Sequence, residues 1–167
     1  MLKTELSALK LLSKSLYGAP VIVLIETDEA AFSLLEENEF SILIAISRYY
    51  DISQESIIKI KGDAETIGRA WIWAVDMVVI DDPISEDGFD SKIDTWVARL
   101  VSNGIFVFLH YEEEGYEYVK EIVDEKMKDH EQIARAGTLA AYKISDPATD
   151  ISWAMINKAH DKHAVVQ

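Results

Sequence analysis

Asp81, Asp82 and His110 are the residues of this chain best suited to chemistry. Two carboxylates close the apolar run Ala74-Val-Asp-Met-Val-Val-Ile-Asp-Asp-Pro83, and an imidazole closes Asn103-Gly-Ile-Phe-Val-Phe-Leu-His-Tyr111. A carboxylate takes up protons or binds cations, and a neutral imidazole is a general base or metal ligand near neutral pH. Neighbouring residues in an extended segment point in opposite directions. One of Asp81 and Asp82 is therefore expected to face a cleft, while the other caps a helix or turns into Pro83. Glu86, Asp87 and Asp90 would add oxygen ligands for a divalent cation, but their spacing matches no defined loop, and no metal is expected there. His160 and His163 stand at i and i+3 with no third ligand nearby, which reads as a surface pair. Cysteine is absent, and no Walker loop, HExxH or nucleophile elbow occurs.

The elements that position these groups follow from periodicity. Short β-branched and aromatic runs bounded by breakers read as buried parallel strands, which present side chains at their carboxyl ends, where ligands of open α/β sheets bind. Strands are expected at Val21–Ile25, Phe40–Ile46, Ser56–Lys61 and Met77–Ile80, with a fifth opening at Gly104. The third alternates apolar and basic residues, which places it near a sheet edge. Leu2, Leu6, Leu9, Leu12 and Leu16 recur at helical spacing and predict an N-terminal helix over about 2–17. Further helices are expected through Ala30–Leu35, over Ala64–Trp71, along Ile93, Trp96, Val97 and Leu100, and over Glu117–Lys128. The Glu112-Glu113-Glu114 run reads as a helix start favoured by the macrodipole, and the acidic loop after Asp82 as capping a helix near Ser91. Gln132–Ala136 and Leu139–Ile144, joined at Gly137-Thr138, predict an antiparallel hairpin. A C-terminal helix is expected over about 148–163. The fold class is thus α/β, a doubly wound, mostly parallel sheet with a terminal antiparallel hairpin, in a single domain spanning 1–167.

Composition limits the partners. The formal net charge of −14 disfavours nucleic acid and anionic membrane surfaces, and lysine and arginine form no basic patch. No run reaches the roughly 18 to 20 apolar residues of a membrane helix. The start of the chain reads as an amphipathic helix and not a signal peptide, and a cytoplasmic protein is expected. A small molecule is the expected ligand. Tyr49-Tyr50, after the second strand, are the stacking candidates, and Trp71 and Trp73, two apart, would mark a partner surface if both were exposed.

A sheet of five parallel strands closed by a hairpin resembles the Rossmann-like fold of class I S-adenosylmethionine-dependent methyltransferases. Gly62-Asp63, Asp76-Met-Val-Val-Ile-Asp81, Asn103-Gly104 and Phe108-Leu-His110-Tyr111 match that superfamily's pattern for its third to fifth strands, and Ala136-Gly-Thr-Leu139 its last hairpin. The resemblance covers about Ser56 to Ile144. It implies S-adenosylmethionine as cofactor, with Glu26, Thr27, Ser47 and Asp63 at the positions that contact it. Asp63 would meet the adenine amino group, and His110 and Asp81 would lie where a methyl acceptor sits.

The first half departs from this pattern. The loop after the first strand, Ile25-Glu-Thr-Asp-Glu-Ala-Ala31, has no glycine, although close approach of a cofactor to a helix N-terminus needs one. Ser47 stands where the family carries the acid that accepts the ribose hydroxyls. The expectation is a methyltransferase-like domain with a degenerate cofactor site, non-catalytic or holding another small ligand. The alternatives are an active small-molecule methyltransferase in which His110 or Asp81 activates the acceptor hydroxyl, and a homodimeric scaffold joined through the terminal helices.

Overall fold

The architecture is that of a computed structural model, which describes residues 3–27, 34, 40–48, 56–82 and 88–145. Its elements are α1 (Lys3–Lys14), β1 (Val21–Ile25), β2 (Ile42–Ser47), β3 (Ile58–Lys61), α2 (Ala64–Ala70), β4 (Val75–Ile80), α3 (Phe89–Val97), β5 (Leu100–Phe108), α4 (Glu117–Lys126), β6 (Glu131–Ala136) and β7 (Leu139–Lys143). The expected helix at 148–163, Tyr49-Tyr50, and His160 with His163 lie outside the described residues.

The seven strands form one sheet in the order β3-β2-β1-β4-β5-β7-β6. β3, β2, β1, β4 and β5 run parallel, while β7 pairs antiparallel with β5 and with β6. Parallel strands this short are buried on both faces, which is why β1, Ile42–Ile46 of β2 and Met77–Ile80 of β4 read as continuous apolar runs and not as alternating ones. On one face Val23, Ile44, Val78 and Phe106 pack against Trp96 and Ile93 of α3 and Val119 and Val123 of α4. On the other, Ile22, Leu24, Met77 and Val107 pack against Leu9 and Leu12 of α1 and against Leu34. β3 is an edge strand, as its alternation predicts.

Glu5 ties α1 to the hairpin. Its buried carboxylate accepts from the amide and hydroxyl of Thr138, each at 2.7 Å. Gly137 must be glycine for this contact: its φ is +59°, and a Cβ there would lie 2.7 Å from the same carboxylate oxygen.

Among the boundaries that differ from the sequence expectation, three have a cause visible in the backbone. Leu100 belongs to β5 and not to the preceding helix, because it pairs with Val75 before the chain bulges through Asn103, at φ +63°, and re-enters register at Ile105. The helix near Ser91 begins at Phe89, after Gly88 at φ +80°. Glu112-Glu113-Glu114 form a turn, since Glu112 at φ +61° and Gly115 at φ +89° bar helix before Glu117.

Candidate functional site

The parallel ladder runs one residue beyond its strands at the carboxyl edge. Glu26 N donates to Ile46 O, Asp81 N to Ile25 O and Leu109 N to Ile80 O, at 2.9 to 3.0 Å. These bonds set Ser47, Glu26, Asp81 and the His110 segment side by side, with Asp63 just past β3. Asp76, at the other end of β4, accepts from Val21 N at 2.8 Å and so anchors β1 at the opposite edge.

Two polar clusters occupy this edge. In the first, Glu26 is 5% exposed at φ +54°, a left-handed conformation costly for a residue with a Cβ. Its carboxylate accepts from Ser47 Oγ at 2.7 Å and from Arg48 N at 2.9 Å. The Arg48 guanidinium pairs with Asp63. Asp63 caps α2, accepting from the Thr66 amide at 2.8 Å and the Thr66 hydroxyl at 2.7 Å. Burial acts to raise the Asp63 pKa, but the Thr66 and Arg48 bonds outweigh it and hold the carboxyl below its usual value. Thr27 is buried next to Glu26 in the chain. Glu26, Ser47, Arg48 and Asp63 thus form one continuous chain of contacts across the ends of β1, β2 and β3.

In the second cluster, His110 stands at φ +61° between two carboxylates, with Nε2 bonded to Asp81 and Nδ1 to Glu113. The Tyr116 ring lies 5.2 Å from the imidazole. The Asp81 hydrogen bond, reinforced by Glu113 and opposed by burial, raises the His110 pKa above the usual 6.5. A neutral imidazole with a free nitrogen is therefore not the arrangement here. To accept a proton from a ligand, His110 would first have to release one carboxylate. The two carboxylates flank opposite ring nitrogens and do not converge, and among the described residues no group of three or more acidic or histidine side chains is placed to hold a metal ion.

Asp82, the other member of the pair of which one was expected to face a cleft and the other to cap a helix or turn into Pro83, has a different role. It is buried and pairs with Lys92, itself 3% exposed, in the first turn of α3. Of the tryptophan pair, only Trp73 is exposed; Trp71 is buried against Trp96, with ring centroids 5.6 Å apart. Glu113 and Lys92 were not legible as partners of the edge residues. The one available signal was the i, i+3 spacing of His110 and Glu113, and it was masked by the helix-start reading of the glutamate run.

Because the folded-state pKa of His110 is raised, the clasp contributes stability that is complete below the unfolded value of 6.5 and is lost as pH rises through the higher folded value. The melting temperature of the wild type is expected to fall over that window relative to His110→Gln. Parallel pH profiles for the two proteins would show the clasp to be unimportant.

No protein-family model matches the sequence, and no curated protein matches it. Solved structures do match. A Staphylococcus aureus protein assigned as a caffeoyl-CoA O-methyltransferase superposes with a TM-score of 0.71 at 12% identity, covering 87% of this chain and 85% of its own. The O-methyltransferase NovP gives 0.68 at 10% identity over 86% and 80% of the two chains. The N-methyltransferase NodS from Bradyrhizobium japonicum WM9 gives 0.60 at 14% identity over 84% and 94%. Identity this low speaks for the fold and not the activity. With five parallel strands, a terminal antiparallel hairpin and helices on both faces, the chain has the Rossmann-like fold of the class I S-adenosylmethionine-dependent methyltransferases.

Proposed function

We propose that this chain is a methyltransferase-fold domain with a degenerate cofactor site, one that does not bind S-adenosylmethionine and is non-catalytic in methyl transfer. The observation that carries this reading is the state of the Glu26 carboxylate. It is buried at the end of β1 and already accepts from Ser47 and Arg48. A nucleoside held in the fold family's manner needs an acceptor for its ribose hydroxyls at the end of β2. Ser47 stands there and donates its own hydroxyl to Glu26.

Making room would mean displacing Glu26 and taking its carboxylate from the buried Ser47 hydroxyl and the part-buried Arg48 amide, at about 1–3 kcal/mol. A cofactor carboxylate beside Glu26 would add like-charge repulsion. Asp63, the position suited to adenine, is committed to Thr66 and Arg48. The residues present do not fit the cofactor, and the domain is non-catalytic or holds a different small ligand.

Calorimetric titration of the full chain with S-adenosylmethionine and S-adenosylhomocysteine is the test. No saturable heat is expected up to ~1 mM, which corresponds to about −4 kcal/mol. Micromolar binding of either compound would overturn the reading.

One observation favours a second reading, an active small-molecule methyltransferase: the Asp81–His110–Glu113 cluster at the carboxyl edge could draw a proton from an acceptor hydroxyl after opening. Methyl transfer that survives replacement of both Asp81 and His110 would remove that mechanism.

A further inference from the structure

β3 is the outermost strand on one side of the sheet, and no described strand pairs with its outer edge. Its residues alternate Ile58, Lys59, Ile60, Lys61, and all but Ile60 are exposed. A strand places successive side chains on opposite faces. Ile60 packs on the face covered by Trp71 and Trp96, so Ile58 shares that face while Lys59 and Lys61 share the other.

On the isoleucine face the sheet is left open. α2 ends at Ala70 after seven residues, and beyond it an apolar cavity of about 400 Å³ is lined by Val21, Ile42, Ile44, Ile58 and Trp73. Ile58 is 53% exposed and Trp73 65%, and Ile72, next in the chain, is 84% exposed. Lysine on an edge strand ordinarily guards against pairing with another chain. That function does not explain why the opposite face keeps an uncovered apolar cavity.

A ladder edge to which no described strand adds, a cavity for alternate side chains and a pair of ammonium groups on the other face are together what strand addition uses: main-chain bonds supply affinity and the pockets supply specificity. A second copy of this chain is a poor occupant. Antiparallel pairing of β3 with β3 across a two-fold axis would set four lysines side by side on one face. Pairing β3 with β6 of the next copy would be a head-to-tail contact that need not close. The charge pattern asks for a partner strand with acidic residues opposite Lys59 and Lys61. The net charge of −14 opposes this only weakly, because fields beyond about 8 Å are screened at physiological ionic strength.

We propose that the β3 edge is a docking site for an extended segment of another protein in which apolar and acidic residues alternate, the apolar ones entering the cavity beside Trp73 and the acidic ones pairing with Lys59 and Lys61. This inference is independent of the cofactor reading.

Fluorescence anisotropy of the full chain with a labelled peptide of about ten residues, alternating valine and glutamate, tests it. Saturable micromolar binding is expected. A peptide alternating valine and lysine should bind about tenfold more weakly, and Lys59→Glu with Lys61→Glu should reverse that order. Trp73→Ala should weaken the valine–glutamate peptide about tenfold, through lost apolar contact. No saturable binding, equal binding of a scrambled peptide, or an order unchanged by the double substitution would overturn the proposal. So would a concentration-dependent doubling of molar mass that the peptide reverses, which would assign the edge to a second copy.

Discussion

Lys92→Met is expected to lower the stability of the fold by about 3–5 kcal/mol, the usual effect of breaking a buried ion pair by removing one partner. At roughly 2–4 °C per kcal/mol for a chain of this size, the melting temperature should drop by about 6–20 °C. Asp82 and Lys92 are 7% and 3% exposed, and each is the other's charge partner. Lys92 sits in the first turn of α3, where the helix dipole disfavours a cation, so its retention depends on Asp82. Without the ammonium group the Asp82 carboxylate stays buried and uncompensated. The double variant Asp82→Asn, Lys92→Met removes both charges and should recover most of the loss. Chemical denaturation of the three proteins separates these cases. A single variant within about 1 kcal/mol of the wild type would mean that the pair is hydrated and not buried.

Glu26→Ala should destabilise by about 1–3 kcal/mol, because the buried Ser47 Oγ and the part-buried Arg48 N lose their carboxylate acceptor. Glu26→Gly should cost about 1 kcal/mol less than Glu26→Ala. That order inverts the usual penalty for glycine, and its cause is local: φ at Glu26 is +54°, a conformation glycine adopts freely and alanine does not. Thermal melts of the two variants give the order directly. Alanine more stable than glycine would contradict the left-handed backbone. Strain of this sort persists only where surrounding bonds over-determine it, and at Glu26 two hydrogen bonds and the β1–β2 ladder do so.

Much of the fold was legible in the sequence because parallel strands buried on both faces leave a distinctive mark. Val21–Ile25 and Met77–Ile80 are uninterrupted apolar stretches, and each is expected as a strand. The same logic brought Glu26, Ser47, Asp81 and His110 to one edge, since the carboxyl ends of parallel strands lie together. Side-chain pairing across that edge was less visible. Lys92 occupies a helix position flanked by Ser91 and Ile93, and nothing local signals that α3 packs it over Asp82. The role of Glu113 was hidden by helix propensity. Three consecutive glutamates favour a helix start, but the backbone is held in a turn by tertiary contacts, with Tyr111 N donating to Thr138 O at 2.8 Å and Glu113 bonded to His110. Leu100 was misplaced for the same reason. Its apolar side chain suits a helix face or a strand equally, and only its partner Val75 decides between them.

The most direct measurement is on the amide resonances of Ser47, Arg48 and Asp63 in the full chain, followed by NMR as S-adenosylhomocysteine is added to millimolar concentration. These groups cross the ends of β2 and β3, where a nucleoside would lie, and the Arg48 amide reports on Glu26 because it donates to that carboxylate. Resonances that stay in place are the predicted result. A saturable shift centred on Arg48 and Asp63 would show that Glu26 yields to the nucleoside, and would contradict the proposal that this site has lost S-adenosylmethionine.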